Sequence, residues 1–357
     1  MPFMNRHDFL IKHPKLDYLQ QCLRHFNDRE FVDVVNAINR DPNLLYFVAN
    51  GNLYPNILFY DIYMDYPSKG FFALFIQTLD ALRYAERFHL VPVVTWSDRC
   101  LYKAEQPING TNNPFCYYFE AVSEFDRDEI AKAMRVLKYK DAQRALDKEH
   151  PFGVVSKTII ENDCYEEYIN ENALVYKKYI KMKKTVQQRL DRCLTEIAFE
   201  GKVLGVHVRA TDFNKGYVNH AMAVDSNEYM DHVIQALAVQ HFDRIFLATD
   251  DAFVVEKFQL KFGSKVIFCK DVCRSSDGMA VHFGNKDGKN HKYQLGLEVI
   301  RDMYILSCCT GLIGGFSNVC IMAQIAKKSY GCEYEYLDII NKGFNTVGKT
   351  TYQDHYK

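Results

Sequence analysis

From about Lys202 onward the sequence alternates so regularly that few folds can accommodate it. KVLGVHV is an apolar run of strand type, and NEYMDHVIQALAVQ follows with helical spacing. The exchange then recurs: RIFLATD before AFVVEKFQLKFG, KVIFCKD before YQLGLEVIRDMYILS, TGLIGG before SNVCIMAQIAKKS. Strands apolar on nearly every residue, each followed by a helix, predict a parallel sheet covered on both faces. In such sheets a ligand binds beyond the carboxyl ends of the strands, so functional residues are sought there.

The first strand runs straight into polar residues in GVHVRATDFNKGYVNH, Gly205 to His220. A positive charge beside a burial-prone strand is costly unless a carboxylate or a ligand answers it. The two-residue period puts His207 and Arg209 on one face, and the planar fork of Arg209 suits a phosphate. The competing reading is an ion pair of Arg209 with Asp212 or Asp250. The second strand ends at Asp250-Asp251, which fits an acid–base pair, a metal site, nucleotide contacts or a helix N-cap. Capping by one and nucleotide contact by the other is the reading we favour. No further acidic or histidine cluster has metal-ligand spacing. The last strand turns through Gly314-Gly315-Phe316-Ser317-Asn318. Glycines there admit close backbone approach, Ser317 is a natural N-cap, and Lys327 and Lys328 match the dipole at the far end. A helix start beside an arginine makes a diphosphate site, although the spacing is neither G-x-G-x-x-G nor a P-loop. Asp302 lies on an apolar stripe of LEVIRDMYILS and needs a donor. The N1–H and N2–H₂ of guanine would supply two; Arg301 or Lys292 is the alternative.

Upstream, LDYLQQCLRHF and REFVDVVNAIN read as amphipathic helices. GFFALFIQTLDALRYAERFHLVPVVTW predicts a turn at Gly70, a long helix and a strand at Val91–Trp96, with Pro92 tolerated early in it. NPFCYYFEAVSEF reads as a loop facing a cleft. YKKYIKMKKTVQQRLDRCLTEI predicts one helix over Tyr176–Ile197, whose lysines form a solvated face or, alternatively, attract an anionic membrane surface or glycan. That helix marks the joint between residues 1–185 and 186–357. A length of 357 residues suffices for two such domains, and a net charge of −1 gives no electrostatic reason to expect a nucleic-acid partner. The 11 cysteines lack paired C-x-x-C spacing and read as reduced thiols. With no secretory leader in the opening residues, the expected location is cytoplasmic. Met303 to Ala326 carries no charge, but its glycines, Ser317, Asn318 and Gln324 predict helix end, strand, turn and helix start rather than a membrane span.

With these residues in hand, the chain resembles the fucosyltransferase superfamily bearing the H-x-R motif. That superfamily includes α1,6-fucosyltransferases of nodulation factors and N-glycan cores, and bacterial surface-polysaccharide enzymes. GVHVRATD resembles the first donor-site motif, RIFLATDD the second, and LEVIRDMYILSCCTGLIGGFSNVCIMAQIA the third. The resemblance covers residues 200–330, with a fainter echo in GFFALFIQTLDALRYAERFHLVPVV. It implies an α/β, GT-B-like fold of two Rossmann-like domains facing a cleft, with residues 1–185 on the acceptor side and 186–357 holding the nucleotide sugar. It further implies metal-independent, inverting transfer of fucose from GDP-fucose to a glycan or glycolipid, with no cofactor. Carried over by motif, Arg209 would bind the diphosphate, and His207 and Asp302 the guanosine. Asp250 or Asp251 would contact the nucleotide, and Ser317 with the backbone from Asn318 would hold phosphate.

One departure stands out. The family's core α1,6 enzymes place a glutamate, the proposed base, shortly after the arginine motif, whereas Phe213-Asn214-Lys215-Gly216-Tyr217 has no carboxylate. An acceptor hydroxyl needs a base within reach; His220 is the candidate, with Asp212 second, and Lys215 is a further cation for the diphosphate. Two readings stay open beside the leading one: transfer from another nucleotide sugar on the same fold, and a nucleotide-sugar-binding scaffold without catalysis. For an enzyme of this kind, peripheral association with the inner membrane face is a further expectation.

Overall fold

The computed structural model describes residues 47–67, 69–138, 164–209, 220–272, 274 and 291–346. They divide into two units that interleave in sequence. One draws on residues within 1–64, 78–96 and 121–152, the other on residues within 65–77, 97–120 and 153–357. The chain thus passes between the units several times. The helices predicted between Leu16 and Asn39 lie outside the described residues, as does Asp212.

The first unit is built on strands Phe47–Val48 (β1), Phe59–Met64 (β2), Val91–Trp96 (β3) and Val136–Lys138 (β4), in the order β1-β4-β2-β3. β2 pairs in parallel with β3 and β4, and β1 closes the edge antiparallel to β4. Helix Phe71–Arg87 (α1) lies between β2 and β3 in sequence; its first turn hangs from the Gly70 carbonyl, which accepts from Leu74 N–H at 3.1 Å. The short helix Arg127–Ile130 (α2) starts on Asp126 in a reciprocal capping box with Glu129. Buried Asp61, in the middle of β2, is paired with Lys138 of β4 at 3.0 Å, so the one acid in an apolar strand has its counter-ion.

The second unit opens with helices Tyr165–Tyr179 (α3) and Lys184–Glu196 (α4). The alternation read from the sequence follows: Val203–Val208 (β5), Ser226–Val239 (α5), Arg244–Thr249 (β6), Ala252–Phe262 (α6), Val266–Ile267 (β7), His291–Cys308 (α7), Gly311–Gly315 (β8), Asn318–Ser329 (α8) and Tyr336–Ile340 (β9). All five strands are parallel, in the order β7-β6-β5-β8-β9. Every residue of β5 is buried, which is why its sequence is apolar except for His207 rather than alternating. Leu204, Val206, Val208, Ile245, Leu247 and Ile313 share one core with Val233 of α5 and Phe258 of α6. Full burial of each such aliphatic side chain stabilises by roughly 1.5–3 kcal/mol. The α/β class therefore stands, with a Rossmann-like sheet in the second unit. The strand order reverses between β5 and β8, and that reversal places a crevice for ligand at their carboxyl ends.

Four local expectations change. The helix expected over Tyr176–Ile197 is two helices, because residues 180–183 leave it to pair with another segment: Met182 bridges Phe119, Lys183 N–H donates to Tyr118 C=O, and Glu120 N–H to Lys181 C=O. The aromatic stretch NPFCYYF does not line a cleft. Phe115, Tyr117, Tyr118 and Phe119 are fully buried, packed on Phe71, Phe75 and Tyr293. KVIFCKD keeps only two residues of strand. Finally, Lys327 serves the preceding helix, donating its ammonium to the Ser307 and Cys309 carbonyls at the end of α7. Met303–Ala326 forms the helix end, strand, turn and helix start expected, and no helix among the described residues is long and apolar enough to cross a membrane.

Candidate functional site

At the reversal point, β5 and β8 lie side by side with His207 opposite Gly314. A β-carbon on Gly314 would sit 2.5 Å from Cys320 Sγ, so only glycine lets the first turn of α8 come this close to the strand. The chain then turns through Phe316 to Ser317, the N-cap of α8, whose hydroxyl accepts from Cys320 N–H at 3.2 Å. The same hydroxyl lies 2.9 Å from His207 Nδ1. Both side chains are buried, at 7% and 4% exposure, so the pair is a fixed part of the edge rather than a surface contact. Asn318 is half-buried at the first position of the helix, next to the unpaired N–H groups of its first turn.

Arg209 follows the end of β5 directly and is half-buried. It lies near Tyr102, another member of the second unit. Burial pushes the Tyr102 phenol up, and the Arg209 guanidinium opposes that rise. The Tyr102 hydroxyl accepts from Phe71 N–H at 2.7 Å, at the beginning of α1. Just before it, the ammonium of Lys69 lies 3.8 Å from the centre of the Tyr66 ring, and burial pushes its pKa down to about 8.

The other side of the same edge is acidic. Asp251 caps α6, accepting from Phe253 N–H at 2.7 Å, and leaves half-buried Asp250 uncommitted to the cap. Asp302, on α7, is pushed up to about 7, first by burial and further by Glu298 and Asp250, against the pull of Arg301 and Arg274. Its carboxyl group takes no hydrogen bond or ion pair in the described structure. The neighbouring Arg301, 4% exposed, is committed elsewhere, to Asp271 at 2.7 Å just beyond β7. Burial alone would lower the Arg301 pKa, but the bond to Asp271 wins and raises it. In this structure the ion pair of Arg301 is with Asp271, and its charge acts on Asp302 without a direct bond.

Residues 173–339, from within α3 to within β9, match the model of a protein family described as alpha-(1,6)-fucosyltransferase N- and catalytic domains. Over this region the chain is similar to fucosyltransferases. No curated protein matches the sequence. Among solved structures, the fucosyltransferase NodZ from Bradyrhizobium is similar at 16% identity with a TM-score of 0.46, over 76% of this chain and 92% of that one. A NodZ alpha-1,6-fucosyltransferase soaked with GDP-fucose shares 18% identity with a TM-score of 0.44, over 76% and 92%. POFUT1 in complex with GDP shares 11% with a TM-score of 0.42, over 82% and 99%.

Within the matched region, the structure brings His207 and Ser317 into contact and sets Asp250 near Asp302. It gives Asp251 to a helix cap. Asp225, which follows His220 in the sequence, is likewise a cap, accepting from Asn227 N–H at 2.7 Å. His220 is half-buried and anchored by its backbone: its carbonyl accepts from Asn345 N–H at 2.9 Å, beside the bridge of Ala221 with Phe344. Sequence reasoning missed Lys69, Tyr102 and Arg274. Arg274 sits beyond β7, donating to the Cys269 carbonyl at 2.8 Å, and sequence patterns carry no signal for a lone arginine in an irregular segment. Lys69 had one, its place directly before the glycine that opens α1.

Proposed function

We propose that this protein transfers fucose from GDP-fucose to a hydroxyl of a glycan or glycolipid, with inversion and without a metal ion. The observation that carries the reading is the pairing of opposite polarities along one sheet edge, within a region similar to fucosyltransferases. The diphosphate is an array of acceptors, and it is placed against Arg209 and the N-terminus of α8 from Asn318 onward. Guanine presents a pair of donors, N1–H and N2–H₂, and these are placed on the Asp302 carboxylate. His207 supports the guanosine, and Asp250 contacts the nucleotide while Asp251 stays a cap.

In the reaction, the acceptor oxygen attacks the anomeric carbon from the face opposite the diphosphate. A carbon–oxygen bond forms as the bond from that carbon to the β-phosphate oxygen breaks. Negative charge grows on the leaving GDP, and a preorganised guanidinium and helix N–H groups stabilise it without reorganisation. The acceptor proton passes to a base, for which His220 is the candidate and Asp212 the second. In this assignment residues 186–357 form the donor side and residues 1–185 the acceptor side. The location is cytoplasmic, and the exposed Lys177, Lys178, Lys181 and Lys184 favour peripheral contact with an anionic membrane face.

The test is release of GDP from GDP-fucose, with and without a panel of glycan and glycolipid acceptors, in buffer with and without a chelator. GDP release stimulated by an acceptor and indifferent to the chelator is the expected result. Turnover only with another nucleotide sugar would reassign the donor. Tight GDP-fucose binding without turnover on any acceptor would make the protein a binding scaffold. Loss on chelation, restored by a divalent cation, would overturn the metal-free mechanism.

A further inference from the structure

We infer that Arg274 is a specificity-determining residue, whose guanidinium donates to O6 of the guanine that Asp302 holds by N1–H and N2–H₂. The inference rests on the donor-site reading above for the identity of the ligand, and it adds a contact that reading does not contain.

Arg274 is half-buried just beyond the carboxyl end of β7, and two contacts hold its head in place. Nη2 donates to the Cys269 carbonyl at 2.8 Å, and the guanidinium carbon lies 5.2 Å from the centre of the Phe268 ring. Nε is buried with no hydrogen-bond partner, and Nη1 makes no hydrogen bond either. A guanidinium carries five N–H donors in a rigid fork. Most of this one's capacity is therefore unspent, and donors withdrawn from water with no partner are destabilising until a ligand takes them. Asp302 is the complement, a half-buried carboxyl group that also makes no hydrogen bond. Burial pushes the Arg274 pKa down and the Asp302 pKa up, and each charge opposes the shift of the other. The two are thus close enough to feel one another and yet are not bonded. Arg301 does not fill the same role: Nη1 is bonded to Asp271, and both Nε and Nη2 are buried.

An unbonded guanidinium beside an unbonded carboxyl group matches one edge of guanine. That edge presents O6, N1–H and N2–H₂ side by side, an acceptor followed by two donors. Adenine presents N6–H₂ and bare N1 instead, a donor against Arg274 and an acceptor against Asp302. The diphosphate is not the partner of Arg274, because β7 lies two strands from β5 in the sheet, about 10 Å away. Asp302 makes two bonds to the ring and so seats it, whereas Arg274 makes one bond to a ring already seated. Loss of Asp302 therefore removes both contacts, and loss of Arg274 removes its own alone.

The experiment is calorimetric titration of the full-length protein with GDP, with 6-thio-GDP, in which sulfur replaces O6, and with IDP, which lacks the 2-amino group. Wild type should bind GDP about tenfold more tightly than 6-thio-GDP, the scale of one charge-assisted hydrogen bond. Arg274→Met should bring those two ligands to equal affinity and leave the advantage of GDP over IDP in place. Arg274→Lys, which keeps a cation, should retain part of the preference for O6. Asp302→Asn should lose both preferences. Equal wild-type affinity for GDP and 6-thio-GDP would overturn the inference without any variant needing to fold. So would an Arg274→Met protein that keeps the preference for O6. An Arg274→Met protein that loses both preferences would also overturn it, making Arg274 a support of Asp302 rather than a reader of the base. The donor-site reading fails by a different result: no GDP binding by the wild type would contradict that reading, and the inference with it.

Discussion

The two sides of the carboxyl edge in the second unit use the same materials for opposite ends. On the β5–β8 side, Arg209, the N-terminus of α8 and the Ser317–His207 pair offer donors and positive charge. On the β6–β7 side, Asp250 and Asp302 offer acceptors, and Asp302 is held near 7 by burial. Both sides spend polar side chains on their own scaffold, Ser317 and Asp251 each capping a helix. What differs is what stands beside each cap: an arginine and a helix N-terminus on one side, carboxyl groups on the other. A nucleoside diphosphate with a guanine base has the matching asymmetry, acceptors at the phosphates and donors at the base edge. An edge that was simply polar would not discriminate between its ends.

The comparison breaks most visibly at Arg209. Arg209→Ala is expected to lower kcat/KM by on the order of 10²–10³-fold, the scale of losing one preorganised charge partner in a transition state, while thermal unfolding stays near wild type. Unfolding of the variant with activity per folded molecule preserved would return Arg209 to a structural ion pair. Next in size, Asp302→Asn should weaken GDP binding about 10–100-fold, because hydrogen bonds to a charged acceptor are worth about 1.5–3 kcal/mol. It should also erase the preference for guanine over adenine. Binding assays with GDP and ADP on wild type and variant read both effects.

The raised Asp302 pKa gives the acidic side a pH signature near 7. Guanine needs the carboxylate, so GDP affinity should rise as pH increases through about 7 and fall below it. Stability runs the other way. The folded state holds the proton up to about 7, against an ordinary value of 3.8, so this group's contribution to stability is full below 3.8 and is lost as pH climbs toward 7. Asp302→Asn should flatten both profiles; a GDP-affinity profile that keeps its slope in the variant would assign the titration to another group.

Smaller effects test the scaffold. Gly314→Ala forces a methyl against Cys320 and should cost about 1–3 kcal/mol of stability by overpacking, measured by urea unfolding. Asp251→Ala should cost about 1 kcal/mol, the loss of an N-cap, with a smaller effect on GDP binding than Asp250→Ala. The reverse order would exchange the roles of these two neighbours.

Much of this edge was readable before any coordinates, for a physical reason. Buried parallel strands are apolar at nearly every position, so the polar residues that close each run mark its carboxyl end, as Arg209, Asp250 and Ser317 do. Asp302 was legible as an acid on an apolar helix stripe. Contacts that depend on distant segments were not. Nothing in YKKYIKMKKTVQQRL announces that residues 180–183 pair with 118–120, and NPFCYYF has loop-like composition although its rings form a core. Nor does β9 stand out, since it is an edge strand with half-exposed, mixed residues. The link between Ser317 and His207 joins segments 110 residues apart in the sequence, which pattern alone cannot show.

The central claim, a sugar-nucleotide site whose polarity reverses along one sheet edge, is met most directly by calorimetric titration of the intact protein with GDP, guanosine and ADP, repeated on Arg209→Ala and Asp302→Asn. The account predicts that GDP binds tightest to the wild type, that Arg209→Ala removes the advantage of GDP over guanosine, and that Asp302→Asn removes the advantage of GDP over ADP. Equal affinity for all three ligands, or GDP binding untouched by both substitutions, would contradict it.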